Sequence, residues 1–246
     1  MLKEPHALIW DSRLGEDDQE FVAKINSAVR NLSVLRAIEI TVSGPFARSK
    51  IAWKLAIYQQ VLLHRIVALV DGAAATWNCR CTLSSILSAR AFMETLAVFA
   101  EVKEGVSQAL TAQDLGAMDA IAQKGVFATR DEEFLKESPD SRATSVLTYI
   151  QKFDKRASGF AAHYDRLSER CHPNALGHNF MFARLDRSDG TVQFMDERNA
   201  DQNGHLIIAA LAMLPLVEPL MSELNNLILK VADLHDRLVP VGGQAR

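Results

Sequence analysis

Glycine and proline are scarce in this chain, 12 and 7 residues among 246. Set against abundant alanine and leucine, so few turn formers exclude the many short strands of a β-sandwich and favour helices. Cysteine is rarer still. Cys79, Cys81 and Cys171 are odd in number and lack a framework spacing, which suits a reducing cytoplasm better than a disulfide-stapled exterior. Aromatic residues make up 7% and never interleave with basic ones as they do in single-strand binders. Long apolar runs are missing too. Leu206 to Val217 falls short of the ~20 residues that span a bilayer, and His64, Arg65 and Asp71 interrupt Ala56 to Thr76. The start, Met1-Leu2-Lys3-Glu4-Pro5, lacks the charged-then-apolar order of a signal peptide. A cytoplasmic protein with no membrane partner is therefore expected. There is no HExxH, P-loop, GxGxxG or GxSxG pattern, so the mechanisms those motifs carry lose their usual support. The net charge of -3 argues against a strongly electrostatic nucleic-acid binder, although an enzyme that meets RNA briefly needs no basic surface.

What is present is a chain that fills a core. With 48% hydrophobic residues and no internal repeat or composition break, residues 1–246 read as a single all-α, multi-helix bundle. After a short lead-in, Phe21, Ile25, Val29 and Leu32 follow Asp17 and Asp18 at helical spacing. Ser43-Gly44-Pro45 breaks that helix. A long second one carries Ile51, Leu55, Tyr58, Leu62, Ile66 and Leu69, fading near Asn78. Thr82 serves as N-cap for a third, with Ile86, Ala89, Met93, Leu96 and Ala100 inward and Gly105 at its end. Thr111 with Asp114 opens a shorter, less apolar helix to about Ala128. Arg130 to Arg142 reads as a surface loop, and about Ala143 to Cys171 as a helix or broken helix with Gly159 its weak point. A small β-hairpin is expected near 179–196, Asn179 to Leu185 and Thr191 to Met195 around Ser188-Asp189-Gly190, lying on the helices. From Leu206 to Leu238 an unbroken four-three spacing marks a broadly buried helix, with kinks expected at Pro215 and Pro219. The whole amounts to about six or seven helices.

The chemistry-bearing stretch is Tyr164-Asp165-Arg166-Leu167-Ser168-Glu169-Arg170-Cys171-His172-Pro173-Asn174. Pro173 denies its predecessor the α conformation, so the helix should stop near Cys171 and throw His172 and Asn174 off its end. Tyr164, Ser168 and Cys171 share one face, while Arg166 sits on another side. A positioned histidine exchanges protons near neutral pH, and an arginine stabilises charge developing on a phosphate. Together His172 and Arg166 have the means to cleave RNA without a metal. The competing reading makes His172, Ser168 and Asn174 caps for exposed backbone groups that anchor the next loop.

Arg90 and Glu94, four apart in an apolar stretch, share a helix face and need each other there. They are either a structural ion pair or the pair that reaches the His172 helix end and orients it. Cys79 and Cys81, one residue apart, do not have the two-residue spacing of paired zinc ligands; they read as free buried cysteines, and no metal or other cofactor is expected. His64-Arg65 reads as surface or interhelix polar packing. His205, beside Asp201-Gln202-Asn203 at the start of the last helix, has the means to approach the site but no spacing that ties it there.

Two segments together resemble a known pattern. Ser88-Ala89-Arg90-Ala91-Phe92-Met93-Glu94-Thr95-Leu96 resembles an R-x-x-x-E helix. Tyr164-x-x-Leu167-Ser168-Glu169-x-x-His172-Pro173-Asn174-x-x-Gly177 resembles a Y-x-x-LSE-x-x-HPN-x-x-G signature. Both occur in a group of uncharacterised bacterial all-helical proteins. Arg166 and His172, with five residues between them, are also similar to the Arg-x4-6-His motif of the HEPN superfamily, although Leu167 stands where that motif commonly has Asn, Asp or His. The resemblance implies a helical bundle and a metal-independent endoribonuclease or a related toxin or phage-defence component. It makes Arg166 and His172 the catalytic pair, with Arg90, Glu94, Tyr164, Ser168, Glu169 and Asn174 in support. It implies an RNA substrate and a homodimer with a composite site, and leaves any antitoxin-type partner unassigned. The alternative is a non-catalytic helical interaction or small-ligand-binding protein whose HPN segment is structural.

Overall fold

A computed structural model describes residues 2–239. It is mostly helical, with a small antiparallel hairpin. In chain order the helices are α1 (Asp18–Val34), α2 (Pro45–Arg48), α3 (Lys50–Asn78), α4 (Thr82–Thr111), α5 (Leu115–Phe127), α6 (Glu132–Glu137), α7 (Val146–Asp154), α8 (Phe160–Cys171), α9 (Asn179–Phe182), α10 (Ala200–Leu211) and α11 (Val217–Leu238). Strands β1 (Ala183–Leu185) and β2 (Val192–Phe194) lie between α9 and α10. The segments outnumber the expected six or seven because α2, α6 and α9 are short turns of helix, four, six and four residues long, and because α7 with α8 and α10 with α11 each stand where one helix was expected.

α4 is the axis of the bundle. It packs on α3, α5, α7, α8, α10 and α11, and Ile86, Ala89, Phe92, Met93, Leu96, Phe99 and Val106 are fully buried. A helix surrounded on all sides must be apolar nearly all round. The other elements turn one stripe inward, such as Val22, Ile25, Val29 and Leu32 of α1; Phe21 belongs to the exposed side instead. α4 and the stretch Ala200–Leu238 are long and apolar enough to cross a membrane by length and composition, yet each buries much of that surface inside the bundle.

Local chemistry sets the boundaries. The Ser49 side chain accepts the Ala52 N–H at the start of α3, and Asp114 accepts that of Ala117 at the start of α5. Thr82 is the first helical residue of α4 rather than its N-cap, a position held by Cys81 without a side-chain bond. α4 also runs through Gly105 to Thr111. Gly105 serves close packing there, since a Cβ would lie 3.1 Å from Ile121 of α5. Gly159, at φ 92°, separates α7 from α8; left-handed backbone of this kind favours glycine. The stretch 130–142 is not plain loop. Asp131 caps α6 by accepting from Glu133 and Phe134.

Two further expectations change. The final helix divides at a 3-10 turn, Leu214–Leu216, built on Pro215, but Pro219 produces no kink. It is the third residue of α11, where a backbone N–H would have no intrahelical acceptor in any case. The hairpin is shorter than expected, because Asn179–Phe182 coils into α9. Nor does it lie buried on the helices: Leu185, Val192 and Phe194 are exposed. It is held by backbone and guanidinium bonds, from Met195 N–H to the Phe182 carbonyl at 2.9 Å and from Arg198 to the Ala183 carbonyl.

Candidate functional site at the end of helix α8

α8 is gripped from two sides by polar contacts. Toward α4, the Tyr164 hydroxyl donates to Glu94 Oε1 at 2.9 Å and accepts from Arg90 Nη2 at 2.9 Å. Arg90 also pairs directly with Glu94 at 3.3 Å. Tyr164 is buried, whereas about a quarter of each charged side chain reaches solvent, 26% for Arg90 and 23% for Glu94. The pair therefore joins two helices and carries less desolvation cost than a fully buried one. Ser168 lies one turn beyond Tyr164. Its Oγ and Arg90 Nε are buried without hydrogen-bond partners. Burial pushes the Cys171 thiol up, and the nearby Arg90 only partly offsets it. The thiol is thus protonated near neutral pH and is no thiolate nucleophile.

Toward α10, His163 Nε2 meets the Leu206 carbonyl at 3.0 Å, so that nitrogen carries the proton. Burial depresses the His163 pKa, and the charge of Arg166 adds to the shift against that backbone bond. Arg170 donates from Nε to Asn203 Oδ1 at 2.8 Å and stacks 5.3 Å from the Phe180 ring. Arg170 and the fully buried Asn203 are members of this end that the sequence did not single out; their pairing crosses 33 positions and leaves no local signal.

The helix stops as Pro173 requires. His172 takes extended backbone angles, φ −81° and ψ 148°, and its N–H bonds to the Ser168 carbonyl. Asn174 then folds the following turn. Its Oδ1 accepts the N–H groups of Leu176 and Gly177, both at 3.0 Å, and its Nδ2 donates to Glu169 Oε2 at 2.8 Å. Gly177 is compelled by contact. A Cβ there would lie 1.9 Å from the His172 carbonyl oxygen.

The structure thus joins Arg90, Glu94 and Tyr164 beside Cys171 and Ser168, and joins Glu169 to Asn174. It does not join Arg166 to His172. Both side chains are exposed, and among the described residues neither takes part in a hydrogen bond or ion pair. Six positions of helix put about 9 Å of axial rise between them. His205 lies elsewhere, paired with Asp18 at 2.9 Å. Arg65 is interhelix polar packing, on Thr95 Oγ1 of α4, whereas His64 meets the Ala37 carbonyl in the connection that follows α1. Cys79 and Cys81 are free but exposed, not buried as expected, because they sit in the turn between α3 and α4, outside the packed core. Among the described residues no group of three or more His, Cys, Asp or Glu side chains is placed to hold a metal ion.

A second arginine cluster went unread in the sequence. Arg13, in the lead-in, is 7% exposed and lies 3.7 Å over the Trp77 ring. It pairs with Asp11 at 2.6 Å and Glu197 at 3.3 Å and donates to the Trp77 carbonyl at 2.8 Å. No family model matches the chain, and comparison with curated proteins and with solved structures gives no match.

Proposed function

We propose that the protein is a metal-independent endoribonuclease of HEPN-like character, or a related toxin or phage-defence component, working at the exposed end of α8. One observation carries the reading. Within the Tyr164–Gly177 stretch and its α4 partners, Arg90, Glu94, Tyr164, Glu169, Arg170 and Asn174 are engaged in side-chain bonds, while Arg166 and His172 are exposed and unengaged. Groups that hold no part of the scaffold are available to a substrate.

The chemistry asks for two roles. Neutral His172 takes the proton of a ribose 2′-hydroxyl, whose oxygen attacks the adjacent phosphorus. The bond from phosphorus to the 5′-oxygen breaks, leaving a 2′,3′-cyclic phosphate, and the departing oxygen takes a proton from the imidazolium or from water. Arg166 holds the non-bridging oxygens, whose charge grows in the transition state. The exposed setting of both side chains suits completion of the site by a second copy of the chain.

The test is cleavage of structured and unstructured RNA in the presence of a chelator. Wild type should cut. His172→Ala and Arg166→Ala should each lose roughly 10²-fold or more with unchanged melting temperature, since neither side chain bonds to the fold. No cutting by wild type ends this reading.

A second reading has its own support. Of the three residues read as caps, Asn174 does cap the HPN turn, and Gly177 closes it against the His172 carbonyl. Ser168 Oγ has no partner and the His172 imidazole is exposed, so the segment is structural through its backbone and Asn174. On this reading the protein is a non-catalytic interaction or small-ligand-binding module. His172→Ala would then alter neither RNA nor stability.

A further inference from the structure

Away from α8, a cavity of about 470 Å³ opens among α3, α4, α5 and the end of α7. That volume lies in the range of small-molecule sites. Two tyrosines shape it. The Tyr58 ring packs against α5 at Gly125, where a Cβ would come within 2.0 Å of it, so glycine alone admits the ring. Tyr149 faces the same space from α7, and Val102 and Ile121 add apolar wall. Burial, with Tyr149 close by, pushes the Tyr58 phenol up to about 12. It is a neutral donor at physiological pH, and among the described residues neither tyrosine hydroxyl has a protein partner.

The charge around this space is unbalanced. Lys124, Lys152, Lys155 and Arg156 line it against Glu101 and Glu104. Glu101 is already taken by Lys152 at 3.5 Å and by Arg156. Glu104 accepts from Gln108 at 2.8 Å and lies 3.9 Å from Lys103. Lys124 and Lys155 are left without an acidic partner among the described residues. Two unpartnered phenols and two unpaired ammonium groups on one apolar-walled cavity are a donor set in want of an anionic acceptor.

We propose that this cavity binds a small aromatic anion, its ring against Tyr58, Tyr149 and Ile121 and its carboxylate or phosphate oxygens on the phenols, Lys124 and Lys155. The site is independent of the RNA reading and shares no residue with the α8 end.

Calorimetric titration of the full chain with 2-naphthoate and, separately, with adenosine 5′-monophosphate tests it; the arm that binds identifies the acidic group as carboxylate or phosphate. Saturable one-to-one binding with Kd below about 1 mM is expected for at least one. The neutral counterparts, 2-naphthamide and adenosine, should bind at least tenfold more weakly. Lys124→Ala with Lys155→Ala should weaken the anion tenfold or more, Tyr58→Phe severalfold, and Arg166→Ala with His172→Ala not at all. The proposal is overturned if neither anion binds, if the neutral counterparts bind as tightly, if the double lysine variant keeps wild-type affinity, or if binding is lost with Arg166 and His172 instead.

Discussion

Two arginines organise polar clusters in this protein, and they do so in opposite ways. Arg13 is nearly sealed from solvent. Its guanidinium is spent on Asp11, Glu197 and the Trp77 carbonyl, with the Trp77 ring against its face. Thr82 closes the set by donating to Glu197. Arg90 is half-buried, shares Glu94 and the Tyr164 hydroxyl, and leaves its own Nε and the neighbouring Ser168 Oγ without partners. A saturated cluster joins chain segments and can do nothing more. An incompletely satisfied one beside exposed, unengaged side chains is where a folded protein keeps capacity for chemistry. The lead-in that looked idle is thus structural, while the α8 end is half scaffold and half available surface.

The largest effect should come from breaking the saturated cluster. Arg13→Ala would strand Asp11, Glu197 and the Trp77 carbonyl, a loss of about 3–4 kcal/mol and a fall in Tm of roughly 10 °C. Gly177→Ala should follow, at about 2–3 kcal/mol, because its Cβ would collide with backbone rather than with a side chain that can turn away. Arg90→Ala should cost only about 1–2 kcal/mol, since Glu94 keeps solvent and the Tyr164 hydroxyl. Chemical denaturation of the three variants ranks them directly. If Arg90→Ala proved as damaging as Arg13→Ala, the contrast between a structural and a partly available cluster would collapse.

How much of this was legible in the sequence follows from range. The end of α3 at Asn78 and the Gly159 break are local matters of spacing and backbone freedom, and they stand where the residues indicated. α1, however, already ends at Val34, well before Ser43-Gly44-Pro45, and α3 starts only at Lys50 behind Ser49. Asp114 caps α5 alone, while Thr111 closes α4. The same local rules misplaced the end of α4 at Gly105 and a kink at Pro219, because a glycine can serve a neighbour's approach and a proline in a first turn removes nothing. The Tyr164-to-Gly177 stretch could be picked out by its residue types, and its meeting with Arg90 and Glu94 was one of two open readings. The Arg13 cluster had no such signal. Its partners stand at positions 11, 77 and 197, and only the fold brings positions 13 and 197 together. The cavity at Tyr58 and Tyr149 was unreadable for the same reason, as its walls come from four helices.

The smallest effect is a titration, and it probes α8 on the face it turns to α10. Burial holds the His163 pKa below the ordinary histidine value, helped by the charge of Arg166. As pH falls through about 6.5 the unfolded chain takes up a proton that the folded chain refuses. The resulting stability is fully present above that pH and is lost progressively toward the depressed folded pKa, by at most about 1.4 kcal/mol per pH unit. His163→Gln keeps an N–H for the Leu206 carbonyl and removes the titration. Its urea midpoint should therefore fall less than that of wild type between pH 7.5 and 5.5. Arg166→Ala should narrow the same acid-sensitive window, because it removes a cation that opposes protonation. Equal acid losses in wild type and His163→Gln would mean that α8 is not held to α10 by a neutral, buried imidazole, and the grip on the Arg166 side of the helix would have to be sought in Arg170 and Asn203 alone.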